Sequence, residues 1–242
     1  GAKLTSVVRQ RLGLEPTTAP AQFRPGGKLA GEKLIETGYF TTSDNFELSA
    51  VRLRARGGKV VDGSAEAGER PLTIVVGSET PAKSWNLKVA EKFLAGAGKD
   101  IPDGDLLVID VRGLGSSGGR PGVGSKTKDP NGTDWREAEL ARLLGQNLVG
   151  LRTRDLLEVV GLEYQTAKDI GIVGLGRGSI WALHAAFLNR NIRRLAEVEG
   201  PATWAAHAGD AQSVLVTSDI VPGALRDYDL DHLRAGRSGA DK

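Results

Sequence analysis

The chain contains no cysteine and no methionine, only 3 histidines, and aromatic residues make up 5% of it. Without cysteine it forms no disulfide and no thiolate metal site, and its compartment is left open. No His/Asp/Glu grouping has the spacing of a metal site, so we assign neither metal nor cofactor. Methionine is missing even at position 1, as expected of a processed or trimmed chain, and no signal peptide is visible at Gly1. There is no apolar run of 18 residues, so no segment is expected to span a membrane. Charge of one sign is also lacking: 32 basic residues against 30 acidic ones, interspersed, leave a net charge of +2. That balance argues against a dedicated nucleic-acid surface. What remains is 242 residues with 40% hydrophobic and 26% charged content, enough for one large globular domain with a core that needs no staples.

The hydrophobic pattern divides the chain. Residues 4–12 read as a short helix, and 16–31, rich in proline and glycine, as an extended surface arm. Residues 33–39 and 46–55 read as strands, the second with imperfect alternation. The stretch 57–70 is a polar connector. After it the pattern changes to short apolar runs at 72–76, 106–110, 170–174 and 195–198, as in strands buried on both faces. Between them fall helical stretches at 85–94, 135–160 (with a break near 145–150) and 180–188. Strands alternating with helices imply a parallel sheet with right-handed crossovers. The expected fold class is therefore α/β: a mixed, mostly parallel sheet flanked by helices, with antiparallel N-terminal strands. The expected organisation is an arm over 1–32 and a domain over 33–242. No internal repeat or low-complexity tract is present.

Three segments carry chemistry. The first is the strand 72–76 with the loop Gly77-Ser78-Glu79 and Trp85. The second is Asp110-Val111-Arg112-Gly113-Leu114-Gly115-Ser116-Ser117, a "D-x-R-G-x-G-x-S" turn. The third is Gly174-Leu175-Gly176-Arg177-Gly178, a strand-to-helix turn with small flanks. In this order they resemble the oxyanion loop, the following turn and the nucleophile elbow of the α/β-hydrolase superfamily. Two further segments make the resemblance closest to acetyl-xylan-esterase-like hydrolases. One is Leu12-Gly13-Leu14-Glu15-Pro16, similar to their "LGL-x-P" arm. The other is the run from Asp219 through Val221-Pro222-Gly223, Leu225 and Tyr228 to Asp229-Leu230, similar to "D-x-V-P-G-x-L-x-x-Y-D-L". The resemblance implies an α/β-hydrolase-like domain, with the last strands of that fold not accounted for, and an extracytoplasmic, polysaccharide-related role.

A G-x-S-x-G elbow exposes a serine hydroxyl on a sharp bend. Here Gly176 stands at the serine position and carries no side chain to attack an ester. Ser179 lies three residues on, about 100° per residue around the helix, and reads as an N-cap rather than a displaced nucleophile. The acid and histidine normally follow. Of the histidines, His184 falls inside the elbow helix and His207 after Trp204. A compressed triad would need a strand over 213–217, Asp219 as acid and His232 as base. Only oxyanion-type roles remain for Gly174, Gly176, Arg177, Gly178, Gly77 and Ser78, through backbone N–H groups. Trp85, Trp135, Trp181 and Trp204 read as core, Asp110 and Arg112 as a local ion pair, and Asn131-Gly132-Thr133 as a polar turn.

The same glycines suit a dinucleotide fingerprint, with Glu197 or Glu199 as the acid about 20 residues on. Against it stand Ser179 at the third glycine position and the late place of the motif. The leading expectation is an esterase-like domain that is non-catalytic because glycine replaces the nucleophile. The alternatives are an active carboxylic-ester hydrolase with an unconventional or partner-completed site, and a Rossmann-like nucleotide binder. The expected partners are a carbohydrate or small ester ligand and another hydrolase domain, with no nucleic acid and no membrane.

Overall fold

The computed structural model describes residues 2–15, 19–29, 34–54, 71–77, 104–114, 134–167, 169–210 and 215–238. The expected helix over 85–94, Trp85, Ser78, Ser116, Ser117 and the 131–133 turn lie outside these residues. The chain opens with helix α1 (Ala2–Leu12) and strands β1 (Gln22–Leu29), β2 (Leu34–Thr41) and β3 (Glu47–Arg54). Strands β4 (Leu72–Gly77) and β5 (Asp105–Ile109) follow, then helices α2 (Trp135–Leu143) and α3 (Leu148–Glu163). Strand β6 (Ile170–Leu175), helix α4 (Gly178–Leu188), strand β7 (Ile192–Val198) and helices α5 (Trp204–Ala208) and α6 (Leu230–Ser238) complete the order.

The seven strands form one sheet in the order β1-β2-β3-β5-β4-β6-β7. β1, β2 and β3 pair antiparallel, and β3 pairs antiparallel with β5. β5, β4, β6 and β7 run parallel to one another. The fold is thus the expected mixed α/β sheet with antiparallel N-terminal strands. The stretch read as a surface arm instead contributes β1, and its prolines and glycines have a place there. Pro25 and Gly26 sit at a register break between Pro25 and Gly27. Proline donates no ladder hydrogen bond and is confined to edge strands and bulges. Sequence pattern alone therefore hides a strand at this edge.

The alternation of the central strands sorts residues to two faces. Ile74, Val76, Leu107, Ile109, Ile170 and Ile172 belong to the large core shared with the helices. Val75, Leu106, Val108 and Val173 form a smaller cluster with Leu53. β4 is buried along its whole length, as a central parallel strand must be. The break foreseen within 135–160 falls between Leu143 and Leu148, where the Asn147 side chain accepts the Gly150 N–H at 2.8 Å and caps α3.

Strand order reverses about β4: the chain goes to β5 on one side and then to β6 and β7 on the other. Open α/β sheets bind ligands beyond the carboxyl ends of their strands at such a reversal. The register pairs Gly77 at the end of β4 with Leu175 at the end of β6. The turn at Gly176 therefore emerges at the edge where the topology leaves a crevice.

Candidate functional site

The bend at the end of β6 has elbow geometry. Gly176 adopts φ +52° between the last residue of β6 and the first turn of α4, and its N–H donates to the Val198 carbonyl at 2.8 Å. A serine in this region would be strained by about 1–3 kcal/mol, and glycine avoids that strain because it lacks Cβ. The flanking glycines are required by contact. A Cβ on Gly174 would lie 2.5 Å from the Ser179 Cα, and one on Gly178 would lie 2.5 Å from the Val76 carbonyl oxygen. The bend brings α4 against β4 and β6 so closely that no side chain fits. Of the three glycines that suit a dinucleotide fingerprint, Gly174 and Gly178 are accounted for by packing and Gly176 by its backbone conformation.

Ser179 is fully buried, and its hydroxyl donates to the Gly174 carbonyl at 2.9 Å. The N-cap reading is corrected: Arg177 occupies the cap position, and the serine is the second residue of the helix, its hydroxyl bonding back to the strand. A hydroxyl so enclosed does not reach a substrate. His184 is also fully buried. Its Nδ1 sits 2.6 Å from the Ile180 carbonyl and its Nε2 3.1 Å from the Tyr228 hydroxyl. Nδ1 therefore carries the proton and Nε2 accepts from tyrosine. Burial pushes its pKa down to about 4, against a smaller upward pull from the Ile180 carbonyl. Its ring packs against Trp204 and Tyr228 at 5.6 and 5.8 Å.

The structure does not assemble the compressed triad. Asp219 is buried, and both its carboxylate oxygens accept from Arg177 Nε at 2.7 Å. His232 is largely exposed; its Nδ1 accepts the Asp229 N–H at 3.0 Å. No hydrogen bond joins Asp219 to His232 among the described residues. Thr217–Asp219 is a 3-10 turn, where a strand was expected over 213–217; residues 211–214 lie outside the described set.

Arg177 projects from the elbow into a buried charge network that sequence reasoning missed. Its Nη2 also reaches Asp134 at 3.1 Å and bonds the Ser218 hydroxyl. Asp134 accepts from Arg152 Nη2 at 2.5 Å and from Ser218 Oγ at 2.8 Å. Arg152 and Asp134 are both fully buried, and the Arg152 guanidinium stacks 4.6 Å over Trp181. Burial by itself would raise the Asp134 carboxyl, but Arg152 and Arg177 outweigh it and hold it below the ordinary carboxylate value. Burial likewise opposes the Arg177 charge, yet Asp219 and Asp134 hold its pKa above the ordinary value. The overlooked signal was the set of charged residues within the buried helix α3, Arg152 among them.

The described parts of the neighbouring motifs make structural contacts. Arg112 pairs with Asp155 and Asp44 rather than with Asp110, which ties the turn after β5 to α3 and the β2–β3 turn. Within the segment from 219 to 230, Gly223 takes φ +74°, and Tyr228 binds His184. Asp229 accepts the Trp204 and Ala205 N–H groups at 2.7 and 3.0 Å. The Trp204 indole N–H donates to the Asp219 carbonyl at 3.1 Å. Trp204 also lines an apolar cavity of about 430 Å³ with Leu215, Ile220, Val221, Ala224 and Leu225.

Sheet order, reversal point and glycine elbow together define the class: the chain has an α/β-hydrolase fold. Among solved structures, a Bacteroides fragilis protein classed as an acetyl xylan esterase superposes with a TM-score of 0.68 at 11% identity, over 98% of this chain and 64% of its own. Acetyl xylan esterase 1 from a Thermoanaerobacterium species matches at 0.47 and 15% identity, over 80% of this chain and 56% of its own. The acetyl xylan esterase of Paenibacillus sp. R4 matches at 0.47 and 14% identity, over 80% and 57%. The chain thus spans less than two thirds of the length of these structures. No family model matches it, and no curated protein matches it by sequence. Among the described residues, no helix is long and apolar enough to cross a membrane.

Proposed function

We propose that this chain is an esterase-like α/β-hydrolase domain that does not catalyse ester hydrolysis and instead binds a carbohydrate or small ester ligand. The observation carrying this reading is Gly176 at φ +52°: the elbow keeps its bend and lacks its nucleophile. The remaining machinery is committed elsewhere. Ser179 is enclosed, Asp219 is neutralised by Arg177, and His184 is consumed by packing. Backbone N–H groups at Arg177 and Gly178, near the N-terminus of α4, retain the ability to hold an ester carbonyl oxygen. The apolar cavity beside Trp204 is of ligand size and suits an acyl group. Another hydrolase domain is the protein partner we propose, supplying the chemistry this elbow lacks.

The test is to incubate the protein with a fluorophosphonate serine probe, and to assay p-nitrophenyl acetate turnover at high protein concentration. We expect neither labelling nor turnover. A clear rate abolished by Ser179→Ala would overturn the proposal. Restoring the missing hydroxyl tests it from the other side. Gly176→Ser should fold with a loss of about 1–3 kcal/mol from backbone strain and gain no esterase activity, because Asp219 is bound by Arg177 and His232 lies apart from it.

A further inference from the structure

We infer that Glu199 is the polar contact through which the elbow holds a hydroxylated ligand; this rests on the ligand-binding reading above. Only two non-glycine residues among those described have positive φ, Asn45 in the β2–β3 turn and Glu199 at φ +54°. Asparagine is enriched in that region, whereas glutamate is rarely found there. Glu199 directly follows β7, so it stands at the same carboxyl edge as the elbow, one strand away. The two are joined by the hydrogen bond from the Gly176 N–H to the Val198 carbonyl.

Packing explains the conformation. A Cβ on Gly200 would lie 2.5 Å from the Ser179 Cβ, so the chain must turn sharply past the start of α4 as it leaves β7. That accounts for the left-handed backbone but not for a glutamate in it, since glycine adopts the same turn without strain. Strain of this kind persists where a side chain serves a site. The Glu199 side chain is exposed, and its carboxylate has no hydrogen-bond or ion-pair partner among the described residues. Glu197, by contrast, is held by Arg234 at 2.6 Å. The edge therefore offers an unoccupied acceptor beside a position where glycine leaves room. A carboxylate suits a ligand hydroxyl, whereas it would repel a phosphate or carboxylate ligand. The ligand class that Glu199 favours is therefore an uncharged, hydroxyl-bearing one.

The experiment titrates the whole chain with an acetylated xylo-oligosaccharide by calorimetry and records melting temperature for wild type, Glu199→Gly and Glu199→Gln. Glu199→Gly should bind at least about tenfold more weakly, the loss of one hydrogen bond to a charged acceptor. It should also melt about 2 °C higher because strain is relieved. Glu199→Gln keeps the strain and an acceptor oxygen, so it should melt as wild type does and bind at an intermediate level. Unchanged affinity in Glu199→Gly overturns the role of Glu199 and leaves the ligand-binding reading standing. A wild-type chain that binds no oligosaccharide at millimolar concentration overturns that reading, and this inference with it.

Discussion

His184 shows how a residue type that suggests catalysis can be spent on structure. In the folded chain it is neutral, with a pKa of about 4; once unfolded it titrates near the ordinary 6.5. Below that ordinary value the unfolded chain binds a proton that the folded chain refuses. The stability associated with a neutral His184 is thus complete above about pH 6.5 and lost progressively as pH falls toward 4. Between pH 7.5 and 4.5 the loss is about 2–3 kcal/mol. Carboxylates titrate in part of the same window, so the comparison must be made with His184→Gln. That variant should be less stable at pH 7.5, but its urea midpoint should fall less steeply on acidification. Equal slopes would mean that the ring is charged in the folded state. At Ser179 and Gly176 the single-residue lesson is similar: the hydroxyl is enclosed, and the exposed apex has no side chain.

The elements around the elbow are bound together by charge as well as by apolar contact. Arg177 at the start of α4, Arg152 in α3, Asp134 before α2 and Asp219 in the 3-10 turn come from four segments and meet in one buried cluster. Removing one member leaves its opposite charge in a low-dielectric site, which typically costs about 3–5 kcal/mol. We therefore expect Arg177→Met to lower unfolding free energy by that order. Arg177→Met combined with Asp219→Asn should recover part of the loss, because the orphaned carboxylate is then gone. A double-mutant cycle by urea denaturation measures the coupling. Additive effects would show that the pair does not interact across the elbow.

At the scale of the molecule, α1 closes the core from outside the sheet. Val8 and Leu12 are buried, the Asn147 side chain donates to the Arg11 carbonyl at 3.0 Å, and Arg11 reaches Asp227 at 2.5 Å. The end of α1 lies so close to α3 that a Cβ on Gly150 would fall 1.9 Å from the Leu12 carbonyl oxygen. Gly150→Ala should push the two helices apart and destabilise the chain by about 1–3 kcal/mol, the usual cost of overpacking, despite the better helix propensity of alanine. A melting temperature at or above that of wild type would show that α1 is not docked there.

The strands at 72–77, 105–109 and 170–175 and the helix break near 144–147 were legible because each depends on local pattern. An uninterrupted apolar run marks a strand buried on both faces, and the glycines at 145 and 150 mark the break. The elbow was legible for the same reason, since small residues must flank so sharp a bend. β1 was not, because its proline and glycine are tolerated only at an edge, and edge position is a property of the assembled sheet. Partners distant in sequence were equally invisible. Arg112 chose Asp155 and Asp44 over nearby Asp110, Asp219 chose Arg177 over His232, and the Ser179 hydroxyl turned inward to Gly174. Local sequence determined where the chain bends and which segments are buried. Only tertiary packing decided which charges meet, because burial makes an unpaired charge so costly that pairing follows proximity in space rather than proximity along the chain.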